Sequence, residues 1–214
     1  MRVIAGSARG RPLRAPATGR TRPTADRIKG AVFSMLEAEA YRRGFEPEPG
    51  DDERDGRFAA AVAWPRVLEL YAGSGALAIE ALSRGAARAV LVESSAAARK
   101  IIVENLQRTG LAERATVHAM TSAAALSTLA GAYDLILLDP PYDEPGVTGL
   151  LGRLAGGPAG PSAVLVWEHQ RVVVPPERIE GAATDGSDGP WGWRLVRTNE
   201  HGIAAVSLYA TDSA

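Results

Sequence analysis

The sequence predicts an α/β domain built on a doubly wound parallel sheet of seven strands, with an antiparallel terminal strand and a small basic N-terminal hairpin arm. Three observations predict it. From Arg66 onward, short runs of branched aliphatic residues alternate with helical patterns, as repeated βα units require. Leu135-Ile-Leu-Leu138 is apolar without alternation, which suits a strand buried on both faces of a parallel sheet. The last two strand patterns, Trp193–Arg197 and Ile203–Ala210, follow one another around Asn199 and Gly202 with no helix between. That makes an antiparallel closing pair.

Residues 1–23 form the arm. Arg2-Val-Ile-Ala5 and Leu13-Arg-Ala-Pro16 flank the Gly-rich Gly6–Pro12 turn, and a lone hairpin is marginal in water, so it is expected to lean on the body or to order on nucleic acid. A helix over residues 24–44 joins it to the core. Thr24 is a candidate N-cap, and Ile28, Val32, Met35, Leu36 and Ala40 define its buried face. Gly30 interrupts it without local reason. Residues 45–64 read as a flexible linker, because Glu46, Glu48, Asp51, Asp52, Glu53 and Asp55 crowd it between prolines and glycines. The core spans residues 65–214. Its first strand, Val67–Tyr71, meets the tight turn Gly73-Ser-Gly75 and a helix over 76–84. The second strand, Ala89–Glu93, precedes a helix capped by Ser94 or Ser95 and ended by Gly110. The third, Ala115–Ala119, precedes a short helix over 122–129. The fourth runs Tyr133–Asp139, then a helix from about Glu144 to Leu154, then the fifth strand, Ala163–Glu168.

Charge is unevenly spread. The net charge is −1, yet residues 1–30 carry eight basic side chains against Asp26 alone. A basic arm on an acidic body is the pattern of a protein that meets a polyanion with one end. There is no cysteine, which removes disulfides, iron–sulfur clusters, zinc-thiolate sites and thiol nucleophiles. His118, His169 and His201 are not spaced as metal ligands, so no metal is expected. No apolar run approaches the roughly 18 residues that span a membrane. No apolar signal segment follows Met1, so a cytoplasmic location is expected.

The chemistry concentrates at two strand ends. Gly73-Ser-Gly75 lets the backbone approach a ligand closely, and Glu93, at the end of the next strand, can accept both hydroxyls of a ribose. Gly73-x-Gly75-x-x-Ala78 also fits a dinucleotide fingerprint, but Glu69 is awkward beside a pyrophosphate and suits a cation. The cation implied is S-adenosyl-L-methionine. At the fourth strand's end, Asp139-Pro-Pro-Tyr142 offers an acid, a stiff backbone whose carbonyls point outward, and a ring. An exocyclic amine on a base is a poor nucleophile because its lone pair is conjugated. Asp139 and the Pro140 carbonyl can accept its two N–H bonds and aim the lone pair at a methyl group, so catalysis is chiefly positioning. Tyr142 can stack on the base, which within structured nucleic acid must first be flipped out.

The chain resembles the RsmD family of bacterial 16S ribosomal RNA guanine-N2 methyltransferases. The likeness rests on Arg2-Val-Ile-Ala-Gly-Ser-Ala-Arg-Gly-Arg11, Arg22-Pro-Thr-Ala-Asp-Arg27, Leu70-Tyr-Ala-Gly-Ser-Gly-Ala-Leu77 and Asp139-Pro-Pro-Tyr142. It implies a Rossmann-like class I methyltransferase sheet and transfer from S-adenosyl-L-methionine, leaving S-adenosyl-L-homocysteine. The acceptor it implies is N2 of one guanine in a 16S rRNA loop near the P site, within a small-subunit assembly particle, and the enzyme a monomer. By position, Glu69, Tyr71, Ala72, Gly73, Ser74, Gly75, Glu93, Ser94, Ala119 and Met120 would hold the cofactor. Asp139, Pro140, Pro141 and Tyr142 would hold the guanine. Arg9, Arg11, Arg14, Arg20, Arg22, Thr24 and Arg27 would face RNA. The sequence departs from the family pattern at Gly30, where an acid is usual, in its longer acidic linker, and in a third strand that ends without a carboxylate. Asp-Pro-Pro-Tyr alone also fits adenine-N6 methylation of DNA, and a vestigial cofactor pocket would leave a non-catalytic RNA-binding assembly factor.

Overall fold

The computed structural model describes residues 1–15, 24–45, 63–129, 132–182 and 191–213. The acidic segment 46–62 lies outside them, as do Arg20 and Arg22. Five parallel strands form one side of the sheet: β1 (Arg66–Leu70), β2 (Arg88–Val92), β3 (Ala115–His118), β4 (Tyr133–Leu138) and β5 (Ala159–Gln170). Three antiparallel strands extend it, β6 (Arg178–Ile179), β7 (Trp191–His201) and β8 (Ala204–Ser213). The order is β3-β2-β1-β4-β5-β8-β7-β6, so it reverses between β1 and β4, where open α/β sheets bind ligands. The sheet has eight strands rather than the seven expected. The extra one, β6, is two residues long, too short to leave a periodic signal, and it covers the edge of β7.

The helices are α1 (Thr24–Arg42), α2 (Ala76–Ser83), α3 (Ala96–Thr109), α4 (Ser122–Thr128) and α5 (Val147–Gly156). Alternate strand residues feed two apolar clusters, one on each face. Val67, Leu91, Leu137 and Val166 pack with α1, α2 and α3, while Leu70, Val92, Leu138 and Trp167 pack with α4 and α5. The expected buried face of α1 is found: Ile28, Val32, Met35, Leu36 and Ala40 are all buried, with Phe33 beside them. Several boundaries differ from expectation, β5 among them at Ala159–Gln170 rather than Ala163–Glu168, and two bear on the site. β4 stops at Leu138, leaving Asp139 as the first residue past the strand. Helix α5 begins at Val147, three residues later than expected, because the Glu144 N–H is taken by the Pro141 carbonyl in a turn and Gly146 enters the helix at φ 75°.

The arm is a hairpin laid on the body. Arg2 pairs with Pro12 in an antiparallel bridge, and Val3 donates to the Arg11 carbonyl at 3.0 Å. Val3, Ala5, Ala8 and Leu13 are buried. Glu80, fully buried in α2, accepts from the N–H groups of Ile4 (2.8 Å) and Ala5 (3.0 Å), and from Lys29 (3.1 Å) and Arg84 (2.9 Å). Gly6 is required where the hairpin meets α2: its φ is +80°, and an added Cβ would lie 1.8 Å from the Ser83 carbonyl oxygen. Asn105 of α3 accepts from the Arg14 N–H at 2.8 Å and donates to the carbonyls of Arg14 and Ser74. One amide therefore ties the arm's exit to the glycine turn. At Gly30 an added Cβ would meet only Ile4 Cδ1 at 3.9 Å, an ordinary contact, so nothing in the structure demands a glycine there.

Candidate functional site

Register assembles the site. Val92 pairs with Leu70, Leu70 with Leu138, and Leu138 with Trp167. One residue further along each strand therefore brings Glu93, Tyr71, Asp139 and Glu168 into one row across β2, β1, β4 and β5, at the carboxyl edge. Neighbouring strands are about 4.8 Å apart, so each of these groups is one strand from the next.

The turn after β1 is held in a conformation few residues adopt. Tyr71 has φ 56°, the sole positive value for a non-glycine among the described residues, and Gly73 and Gly75 follow at 54° and 73°. Such a backbone stores strain that the surroundings must hold. Glu93 does much of the holding: one oxygen accepts from the Gly73 N–H at 2.8 Å and the other from the Ser95 N–H at 2.7 Å. Gly75 is confined, since a Cβ would meet Leu91 Cδ2 at 3.0 Å and Ile102 Cγ2 at 3.3 Å. At Gly73 a Cβ would find only the Tyr71 carbonyl at 3.9 Å. The space over Gly73 is open, and Ala72 beside it is buried.

A cavity of about 190 Å³ opens beside this turn, walled by Tyr71, Glu93, Ser94, Met120, Thr121 and Glu144 among others. The Tyr71 hydroxyl donates to Glu144 at 3.0 Å, linking the end of β1 to the turn after β4. Ala119 lies outside that wall, exposed beyond the end of β3, whereas its neighbour Met120 is in it. Ser95, not Ser94, caps α3, accepting from the Ala98 N–H at 3.4 Å, which leaves Ser94 to the cavity.

Glu69 is buried beneath the edge and accepts from the Ala78 N–H at 3.1 Å, in the first turn of α2. Burial pushes its carboxyl up to about 8, and the charges of Asp139 and Glu93 add to the shift against the helix hydrogen bond. A carboxyl so placed is set to gain a cation as neighbour.

A second cavity, of about 220 Å³, lies on the far side of Asp139. Pro140, Pro141, Tyr142, Trp167, Glu168 and His169 form much of its wall, with the first turn of α5. Asp139 and Pro141 are exposed at the edge and Pro140 is buried. His169 is buried, with Nδ1 2.8 Å from the Gln170 carbonyl oxygen and Nε2 2.8 Å from Ser207 Oγ. Desolvation lowers its pKa, so the ring is neutral at pH 7. The buried Trp167 Nε1 has no acceptor among the described residues.

Of the residues read from sequence, Glu69, Tyr71, Ala72, Gly73, Ser74, Gly75, Glu93, Ser94 and Met120 gather around the turn and the first cavity. Asp139 to Tyr142 border the second. Arg9, Arg11, Arg14 and Arg27 are exposed on the arm side, Arg11 donating to the Arg108 carbonyl and Arg14 pairing with Glu104 at 2.6 Å. Thr24 begins α1, and its side chain lies outside the described residues. Sequence reading missed Thr121, Ser122 and Glu144 in the first wall, and Trp167, Glu168 and His169 in the second. Their common signal was position, at or just past a strand's carboxyl end. Among the described residues no group of three or more His, Asp or Glu could hold a metal, and no helix is long and apolar enough to cross a membrane.

These residues fit a nucleoside-bearing zwitterion such as S-adenosyl-L-methionine. The space over Gly73 admits a close ligand, Glu93 keeps lone pairs for ribose hydroxyls, and Glu69 lies below.

Comparison with known proteins gives a consistent set of relatives. The family described as conserved hypothetical protein 95 matches residues 1–209. YlbH, a candidate rRNA methyltransferase of Bacillus subtilis, is 31% identical over 98% of this chain and 98% of its own. The ribosomal RNA small subunit methyltransferase D of Escherichia coli K12 is 31% identical over 66% of this chain and 60% of its own. Among solved structures, a candidate methyltransferase of Escherichia coli, YhhF, superposes with a TM-score of 0.73 at 27% identity, covering 100% of this chain and 99% of its own.

Proposed function

The chain belongs to the conserved hypothetical protein 95 family, the RsmD family, and we propose that it transfers a methyl group from S-adenosyl-L-methionine to the exocyclic N2 of a guanine in 16S rRNA. Relatives named as rRNA methyltransferases support an rRNA methyltransferase. The single observation that carries the reading is the register row: Glu93 past β2 and the Asp139-Pro-Pro-Tyr142 turn past β4 flank β1 and Tyr71, which supports a cofactor pocket beside an acceptor-base edge.

The cofactor, when bound, supplies an electrophilic methyl group on a sulfonium. The protein's part is to orient and to shield. Glu93 accepts from the ribose hydroxyls while keeping its hold on the Gly73 N–H, so ligand binding and turn conformation support each other. Asp139 and the Pro140 carbonyl accept the two N–H bonds of the exocyclic amine and turn its lone pair toward the methyl group. Tyr142 stacks against the flipped-out base. With the cofactor bound, its methyl group would pass from sulfur to the amine nitrogen, and the proton that nitrogen sheds would be taken by the exposed Asp139 carboxylate and passed to water. No covalent enzyme intermediate is needed, in keeping with a chain that has no cysteine. Much of the acceleration comes from placement in line.

The test is tritiated methyl transfer to small-subunit particles, naked 16S rRNA and duplex DNA. Incorporation into small-subunit RNA, recovered as N2-methylguanosine, is expected; incorporation into DNA alone would instead support adenine-N6 methylation. Calorimetry showing no S-adenosyl-L-methionine binding would favour a non-catalytic assembly factor. Asp139→Ala is expected to lower turnover at least about 100-fold with cofactor affinity within a few-fold. Equal loss of both would make Asp139 structural.

A further inference from the structure

We propose that Glu168 accepts a hydrogen bond from the ring N1–H of the acceptor base and so selects guanine over adenine. The proposal rests on the amino-methylation reading above and deepens it. The two candidate acceptor bases differ at the atom beside the reactive amine. Next to the 2-amino group of guanine stands N1–H, a donor; next to the 6-amino group of adenine stands an unprotonated N1, an acceptor. A carboxylate one strand away from Asp139 attracts the first and repels the second.

Glu168 meets each geometric demand. It follows Trp167, which pairs with Leu138, so it shares the row of Asp139 on the neighbouring strand. It lines the second cavity together with Pro140, Pro141 and Tyr142. Alternation along β5 puts it on the face of Val164 and Val166, the cluster against which Tyr142 packs. A base stacked on Tyr142 therefore presents its edge toward Asp139 and Glu168 together. The residue is only 7% exposed, so a hydrogen bond formed there is weakly contested by water. The neighbouring His169 is neutral and committed to Ser207 and Gln170. It shares the cavity wall, but both of its ring nitrogens are already engaged, so it leaves this edge to Glu168.

2-Aminopurine separates the contributions, because it keeps the 2-amino group and lacks N1–H. Methyl transfer is measured on 16S rRNA particles reconstituted with guanine or 2-aminopurine at the target position. The wild type is expected to prefer guanine by about 10- to 100-fold in kcat/KM, the range of one hydrogen bond to a charged group. In Glu168→Gln the preference is expected to collapse toward unity, since the amide donates to the bare N1, while cofactor affinity is unchanged. An unaltered guanine preference in Glu168→Gln would overturn the proposal while leaving the methylation reading intact. Should that variant fail to fold, wild-type enzyme that uses both bases equally would overturn it as well. Wild type that binds cofactor yet methylates neither base would remove the methylation reading, and this inference with it.

Discussion

A buried carboxyl makes the fold itself sensitive to pH. Glu69 starts from an ordinary value of 4.5 and is raised to about 8, chiefly by burial. A folded-state pKa above the unfolded one means the native chain holds the proton more tightly. The associated stability is fully present below about pH 4.5 and is lost as pH rises through about 8. Glu69→Gln is expected to abolish this dependence, so its melting temperature should gain on that of the wild type between pH 5 and 8. Parallel pH profiles for the two proteins would refute the assignment. Tyr71 shows a different residue-scale effect. Its φ of 56° has no marker in the sequence, since tyrosine carries no preference for left-handed backbone; only the constraints around it impose the angle.

At the scale of elements, α1, α2 and the arm are fastened through one side chain. Glu80→Ala would remove the acceptor for two arm N–H groups and for Arg84 Nε, and would leave Lys29, 2% exposed, with the Asp26 carboxylate at 3.8 Å in place of Glu80 at 3.1 Å. Breaking a buried pair in this way costs about 3–5 kcal/mol, measurable by denaturant unfolding; a loss under about 1 kcal/mol would mean the cluster is not a fastening. This junction also shows what a sequence conveys. The buried stripe of α1 and the succession of strands and helices along the chain were legible because apolar periodicity is local. Lys29 read as one more positive charge on a basic arm, yet its ammonium sits on the Arg2 carbonyl and on Glu80. Its partner lies 51 residues away and leaves no periodic trace. Glu144 read as the start of a helix, whereas the proline turn before it takes its N–H and frees its carboxylate for Tyr71. Glu93 drew notice in the sequence by its place after the second strand, whereas its hold on the Gly73 N–H depends on the distance between two loops and left no mark there.

Across the whole molecule, basic residues and the acidic strand edge occupy adjoining territory. The arm leaves the body beside the glycine turn, joined to it by Asn105, so RNA held by the arm would lie near the row of Glu93, Tyr71 and Asp139. Replacing Arg9, Arg11 and Arg14 together by Gln is expected to weaken RNA binding and flatten its salt dependence, by up to about one unit for each phosphate no longer neutralised. Cofactor affinity should stay unchanged, because the arm is docked by its backbone and the ion pair of Arg14 is exposed. An unaltered salt slope would take the arm out of the RNA interface.

The hairpin's attachment also sets an order of events during synthesis. The arm leaves the ribosome first, but its acceptors on Glu80 and Asn105 follow 75 and 91 residues later. Loops of that length cost entropy to close before their contacts reward it, so docking of the arm on the body requires α2 and α3 to be in place. The docked arm is then completed only on a chain whose glycine turn is already built, so an RNA contact made by its arginines would belong to the finished fold and not to a nascent one.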